Sequence, residues 1–193
     1  NAAIAGLPRM TQRIADKRAL AQQIDEVLAP YLDATATRTA ARVASARLWT
    51  QAGDTQRALA VAERAQADDN SAVGPAFLAL ELMASQPAAE KLVTAYLAQP
   101  KAEANVRLGY VRALSTTQRL VEAESQMRLL TREQPTPPGY WLTLGALQLE
   151  LRQPKDAESS LQRYLQAGAA QPETAATDDD EENDTFAEGG RTQ

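Results

Sequence analysis

The chain has 193 residues, 44 % of them hydrophobic, and a formal net charge of −5. It contains neither cysteine nor histidine, which excludes disulfides, zinc sites of the usual ligand type, thiol nucleophiles and imidazole bases. The charge is unevenly placed: residues 173–193 carry eight acids against one base, Arg191, while residues 1–172 carry seventeen acids against nineteen bases.

No apolar run approaches the ~20 residues that a membrane helix needs, so no membrane span is expected. No basic stripe of the kind that neutralises phosphates is present either, so nucleic acid is not an expected partner. The absence of cysteine fits cytoplasm and periplasm alike. With Asn1 in place of an initiator Met, the chain reads as processed or as a cloned fragment. Separately, the lack of a polar capping helix after residue 168 favours a piece of a longer array.

In chain order, the first element is "MTQRIADKRALAQQIDEVLAPYL". Ile14, Ala21, Ile24 and Leu28 recur there on a helical period, flanked by Leu20, Val27 and Tyr31. One long helix or two short ones are expected, ending near Pro30. Residues 1–35 are read as a helical cap on the first end of a longer helical array. Helices are then predicted over 36–51, 54–67, 72–84, 87–98, 102–115, 118–133, 138–152 and 155–167.

These helices fall into a repeat. Ala89, Ala123 and Ala157 are separated by 34 residues each, and Val93, Met127 and Leu161 follow the same interval. Ala58 plays the same small-residue role with a shorter interval of 31 to Ala89. The units are read as 39–69, 70–103, 104–137 and 138–171, within an array spanning 36–171. In the last unit Trp141, Leu144, Leu147 and Leu151 form one stripe of the first helix. Leu142, Ala146 and Leu149 form a second. A lone surface helix needs one apolar face, so two faces imply neighbours on two sides. Pro154 is placed at the first turn of the second helix, where its missing N–H costs nothing. Ala157, Leu161, Tyr164 and Leu165 face back onto the first helix, and Gly168 is expected at the C′ position. Gly145 and Ala157 are small where the two helices must cross closely, and Trp141 and Leu144 fill the space where they diverge.

The spacing Trp141, Leu144, Gly145, Ala157, together with Pro135 at the end of the preceding unit, resembles the tetratricopeptide repeat family. The stretch "QAGDTQRAL" is similar to the family's inter-helix turn. Leu161 stands in place of the family's aromatic, Gln148 in place of its Tyr, and the unit around Gly74 is degenerate. The resemblance implies an all-α fold: an α-α superhelix, a solenoid of antiparallel helix hairpins. It also implies an inner, concave face lined by the first helix of each hairpin, where extended peptides or partner helices lie. Mapping that face gives Val43, Arg47, Gln51, Leu78, Glu81, Asn105, Leu108, Arg112, Leu142, Ala146 and Glu150. The polar members, Arg47, Gln51, Glu81, Asn105, Arg112 and Glu150, are the candidate partner-binding residues. The family's carboxylate clamp is not reproduced.

The segment 172–193 is acidic and poor in apolar residues, and is read as a flexible tail or an inter-repeat loop. Its run Asp178, Asp179, Asp180, Glu181, Glu182, Asp184 lacks the glycine and closing glutamate of a calcium loop, with Gly189 at the twelfth position. "PTPP" at 135–138 matches a PxxP pattern but falls at a junction between units. Glu122 and Glu124 are read as solvated surface acids on different helix faces. No serine stands in a nucleophile-elbow context and no glycine-rich phosphate loop occurs. The reading is therefore a non-enzymatic scaffold with no cofactor, whose partner is a protein or peptide, in character close to a bacterial envelope adaptor. The alternative is a self-association module that dimerises through an exposed last hairpin, since no polar capping helix comes after it.

Overall fold

The computed structural model describes residues 17–169. The sequence expectations for residues 1–16 and for the acidic segment after Ala169 lie outside them. Among the described residues there are nine α-helices and no strand. They are α1 (Lys17–Asp33), α2 (Thr35–Gln51), α3 (Thr55–Asp68), α4 (Val73–Leu82), α5 (Glu90–Leu97), α6 (Ala104–Thr116), α7 (Leu120–Glu133), α8 (Pro138–Glu150) and α9 (Pro154–Ala169). A short 3-10 turn, Pro87–Ala89, leads into α5.

The helices pair as hairpins: α2 with α3, α4 with α5, α6 with α7, α8 with α9. Each second helix also packs on the next first helix, and α1 packs on α2 as a second helix does. The pairing rests on alanine. Ala58, Ala123 and Ala157 sit on second helices and Ala89 ends the 3-10 turn that leads into α5, and all four are 0 % exposed. One turn further on, Ala62, Val93 and Met127 are also fully buried, while Leu161 is half-buried. Among the described residues no hairpin follows the last second helix. It buries only Ala157 and Ser160 and leaves Leu165 67 % exposed.

Three of the four hairpin turns share one geometry. Gly53, Gln118 and Arg152 have φ of 82°, 60° and 58°. In each turn the next residue's amide reaches back to the first helix: Asp54 to the Trp49 carbonyl at 2.9 Å, Arg119 to Leu114 at 2.9 Å, Gln153 to Gln148 at 2.8 Å. This is the Schellman pattern, which satisfies carbonyls that the helix end would orphan. The second hairpin departs from it. Its first helix is ten residues long, against thirteen in α6 and α8, and it turns through Pro87–Ala89. The shortened interval between Ala58 and Ala89 is taken up there.

Several expectations are corrected. The first helix does not end near Pro30 but runs through it to Asp33. Pro30 and Glu26, the carbonyl it cannot pair with, are both exposed, so water can serve that carbonyl. The turn beyond is held from outside: the Thr37 hydroxyl donates to the Tyr31 carbonyl at 2.8 Å and Arg38 Nε to the Leu32 carbonyl at 2.6 Å. Gly168 is not a C′ residue; it lies within α9, exposed, with nothing packed against it to stop the helix. Glu124 is not a surface acid. It is 7 % exposed, paired with Arg128 at 2.6 Å and reached by Gln148 Nε2 at 3.4 Å. Gln148 is itself buried and accepts from the Ser160 hydroxyl at 2.7 Å, so the position where the repeat family carries Tyr is polar and satisfied here.

Two substitutions with opposite signs test this account. Ala123→Leu should lose about 1–3 kcal/mol or more by overpacking the helix crossing. Arg152→Gly should gain up to about 1 kcal/mol, since it removes the left-handed strain at some cost in unfolded-state entropy. Urea unfolding followed by circular dichroism checks both; a neutral Ala123→Leu would contradict the close crossing.

Candidate protein-binding face

The first helices form one layer over the first three hairpins, because α4 touches both α2 and α6. Glycine allows the approach. A Cβ placed on Gly74 would lie 3.2 Å from Val43 Cγ2, and one on Gly109 would lie 2.7 Å from Leu80 Cδ1. In the last unit the residue 34 positions after Gly109 is Thr143. On the same helix Leu142 and Leu149 stand 44 % and 54 % exposed.

The turn hydrogen bonds provide a register for comparing these helices. Arg47 and Arg112 each stand two residues before the carbonyl that closes the turn, at Trp49 and Leu114. The same position in α8 is Ala146, two before Gln148. Gln51 and Glu150 stand two residues after it, at the helix ends. The structure thus puts Arg47 and Gln51 on α2, Glu81 on α4, and Asn105 and Arg112 on α6, three helices that touch in succession. Glu150 is on α8, which packs on α7 and α9. Arg47, Glu81, Asn105, Arg112 and Glu150 are exposed and Gln51 is half-buried.

Leu78 does not belong on an open face: it is 0 % exposed, enclosed because α4 is flanked by α2, α3, α5 and α6. Leu80 is the residue that the sequence mapping missed. It seats against Gly109 from a neighbouring register, and the short α4 displaced the alignment. Leu108 and Val43 are half-buried, Ala146 exposed.

Most arginines of the fold are committed to structure. Arg119 pairs with Glu90 at 2.8 Å and Glu122 at 2.5 Å. Arg107 donates to Gln126 at 2.8 Å. Arg57 reaches Asp25 at 3.3 Å and lies 3.9 Å from the Trp49 ring centre. Arg42 Nε stands 2.8 Å from Asp68 but is not aligned for a hydrogen bond, so only a charge contact is made there. By contrast, among the described residues no hydrogen bond or ion pair ties the side chains of Arg47, Glu81, Asn105, Arg112 or Glu150. Also among the described residues, no group of three or more His, Cys, Asp or Glu could hold a metal ion. A cleft of about 460 Å³ opens between α1 and α3 over α2, with Leu28, Leu32 and Val61 in its lining and Arg42, Arg57 and Arg64 around them.

Hairpins are also tied to one another by charge. The Tyr110 hydroxyl donates to Glu90, which Arg119 holds from the other side. Glu90 is thereby kept below the usual carboxylate range, first by Arg119 and then by Tyr110. Tyr110 is pushed up to about 12, first by burial and then by the Glu90 carboxylate.

Taken together, repeated antiparallel hairpins with a layered first-helix face define a helical-repeat protein of the tetratricopeptide-like class. No family model matches the chain, and no curated protein does. Solved structures do. The chain is similar to MamA of AMB-1 at 16 % identity, over 88 % of this chain and 89 % of that one, with a TM-score of 0.55. It is similar to MamA 41-end from Desulfovibrio magneticus RS-1 at 15 % identity, over 82 % and 98 %, with a TM-score of 0.51. A MamA RS-1 double mutant gives 14 % identity, 86 % and 94 %, and 0.54. At these identities the likeness is one of fold.

The linkage around Glu90 and Tyr110 has a definite sign. Glu90 contributes stability above its ordinary pKa of 4.5 that is lost as pH falls through its lowered folded value. Neutral Tyr110 contributes stability below its ordinary 10.0 that is lost as pH rises towards about 12. In urea midpoints measured against pH, Tyr110→Phe should reduce the alkaline loss and keep an acid limb. An alkaline limb unchanged by the substitution would refute the coupling.

Proposed function

We propose that this protein is a non-catalytic scaffold that binds a protein or peptide along its first-helix face. The array is taken as residues 36–171, capped by 1–35, with 172–193 as an acidic appendage. The observation that carries the reading is the division of its arginines. Arg57, Arg107, Arg119 and Arg128 are held by the fold, whereas Arg47 and Arg112 occupy matching register positions and have no partner among the described residues. Guanidinium groups left free in this way can grip carboxylates or backbone carbonyls of a bound segment. Glu81, Asn105, Gln51 and Glu150 are assigned to the same surface, with Leu80 as an apolar contact between them.

The finer reading, an adaptor of the bacterial cell envelope, rests on the general likeness of Ala- and Arg-rich repeats of this type to envelope scaffolds. Fractionation of the complete gene product checks it. A second reading, self-association through the last hairpin, is favoured by the exposed Leu142, Leu149 and Leu165.

Photo-crosslinking from position 81 in cells should capture a protein whose affinity is then measured. Arg47→Glu with Arg112→Glu should weaken that affinity about 10–100-fold, the worth of one or two charge-assisted contacts, with an unchanged circular-dichroism melt. Light scattering separates the second reading: a dimer abolished by Leu165→Glu, with binding unaffected by the arginine pair, would replace the first.

A further inference from the structure

A second cluster of arginines lies away from the first helices, in the groove between the second helices α7 and α9, floored by α8. This cleft has a volume of about 250 Å³, and Arg128, Arg132, Trp141, Gln148, Asp156 and Arg163 are part of its lining. That is room for side chains rather than for a helix. Its acids are already answered. Arg128 stands 2.6 Å from Glu124 behind the cleft and 2.8 Å from Asp156 at its edge. Two guanidinium groups remain. Arg132 makes no hydrogen bond or ion pair among the described residues. The Arg163 guanidinium carbon lies over the Trp141 ring, 4.8 Å from its centre, a cation–π contact, and its N–H donors make no hydrogen bond or ion pair among the described residues. Trp141 is in turn pinned by its indole N–H, 2.7 Å from the Pro135 carbonyl. The result is a fixed platform carrying two unspent forks, each suited to a carboxylate.

We propose that this cleft holds the chain's own acidic run, Asp178, Asp179, Asp180, Glu181, Glu182 and Asp184. Three observations single out that occupant. First, the charges are complementary: residues 173–193 carry eight acids against one base, and the cleft offers cations without partners. Second, the run can reach. Arg163 stands six residues before the end of α9, about 9 Å along a helix. Asp178 comes nine residues after that end, and nine residues span up to about 30 Å. Third, the attachment is covalent, so the run faces the cleft at an effective concentration in the millimolar range, on the order set by a short linker. Weak exposed ion pairs then suffice for occupancy, and salt must release them, since charges in water are screened beyond about 10 Å at 0.1 M. The proposal is independent of what the first-helix face binds.

The test uses the full chain and leaves the folded body untouched. Asp178, Asp179, Asp180 and Asp184 are replaced by Asn, and Glu181 and Glu182 by Gln. Nitrogen-15 NMR follows the Trp141 indole and the Arg132 and Arg163 Nε–H signals. In the native chain these signals should shift between about 50 mM and about 500 mM NaCl, and the substituted chain at low salt should already give the high-salt positions. Arg132→Gln with Arg163→Gln should abolish the salt response of the Trp141 signal. Identical cleft signals in native and substituted chains at low salt overturn the proposal. So does a shift confined to Arg47 and Arg112, which would place the run on the first helices. A cleft that answers only to added glutamate peptide, and not to the substitutions, overturns it in favour of a partner in trans.

Discussion

The structure depends on how closely two antiparallel helices can cross. At Ala58, Ala89, Ala123 and Ala157 nothing extends beyond Cβ, and each of these atoms is sealed from solvent. Gly145 completes the crossing in the last hairpin: a Cβ there would stand 3.0 Å from Leu161 and 3.6 Å from the Ala157 carbonyl. Close crossing brings the flanking larger residues, Val93 and Tyr96 or Met127 and Leu130, into contact with the facing helix. Their burial supplies the hydrophobic drive, worth about 25 cal/mol per Å² of apolar surface removed from water. The small residues add little burial themselves; they set the distance at which the large ones pack.

A hairpin built this way cannot bury all it offers, because each first helix has apolar residues on two sides. The next hairpin supplies the missing neighbour, and the array propagates by nearest-neighbour contact. The polar groups obey the same logic. Glu90 on one hairpin is held by Tyr110 and Arg119 of the next, and Arg128 on α7 reaches Asp156 on α9. The same device joins α1 to the array, where Asp25 accepts from Ser45, from the Trp49 indole and from Arg57. Buried or half-buried carboxylates without such partners would oppose folding. With them, the ionic contacts fix how one hairpin sits on the next.

Close crossing also decides how much could be read from residues alone. Interval and period were legible, since the crossing demands a small residue at each recurrence, and the helices stand within a few residues of their expected places. The fate of a side chain depends on helices far away in sequence and was not legible. Glu124 looks like any surface acid until Gln148 and Ser160 close over it. Leu78 looks like an inner-face residue until α4 proves short and flanked on all sides. Pro30 looks like a stop because the rescue of the following carbonyls comes from Thr37 and Arg38, across a turn. Of the candidate face, the residue types and helices were legible, while the register of α4, and with it Leu80, was not.

The same reasoning separates residues that build from residues left over. A guanidinium beside a carboxylate in this fold has a structural task, and its removal would leave the acid unpaired. Arg47, Arg112, Arg132 and Arg163 hold no such carboxylate, so the fold gains no charge pairing from them. Arg163 gains a stacking surface on Trp141 and the others gain only solvation. They fall into two sets on opposite kinds of helix, one along the first helices and one in a groove between second helices. If the acidic run fills one set, as proposed, the other set stays available. The charge of the whole chain, −5, conceals this, because it sums an acidic appendage with a body whose bases outnumber its acids. Salt dependence, rather than net charge, is then the property that distinguishes the two arginine sets: an internal carboxylate competes only where it can reach.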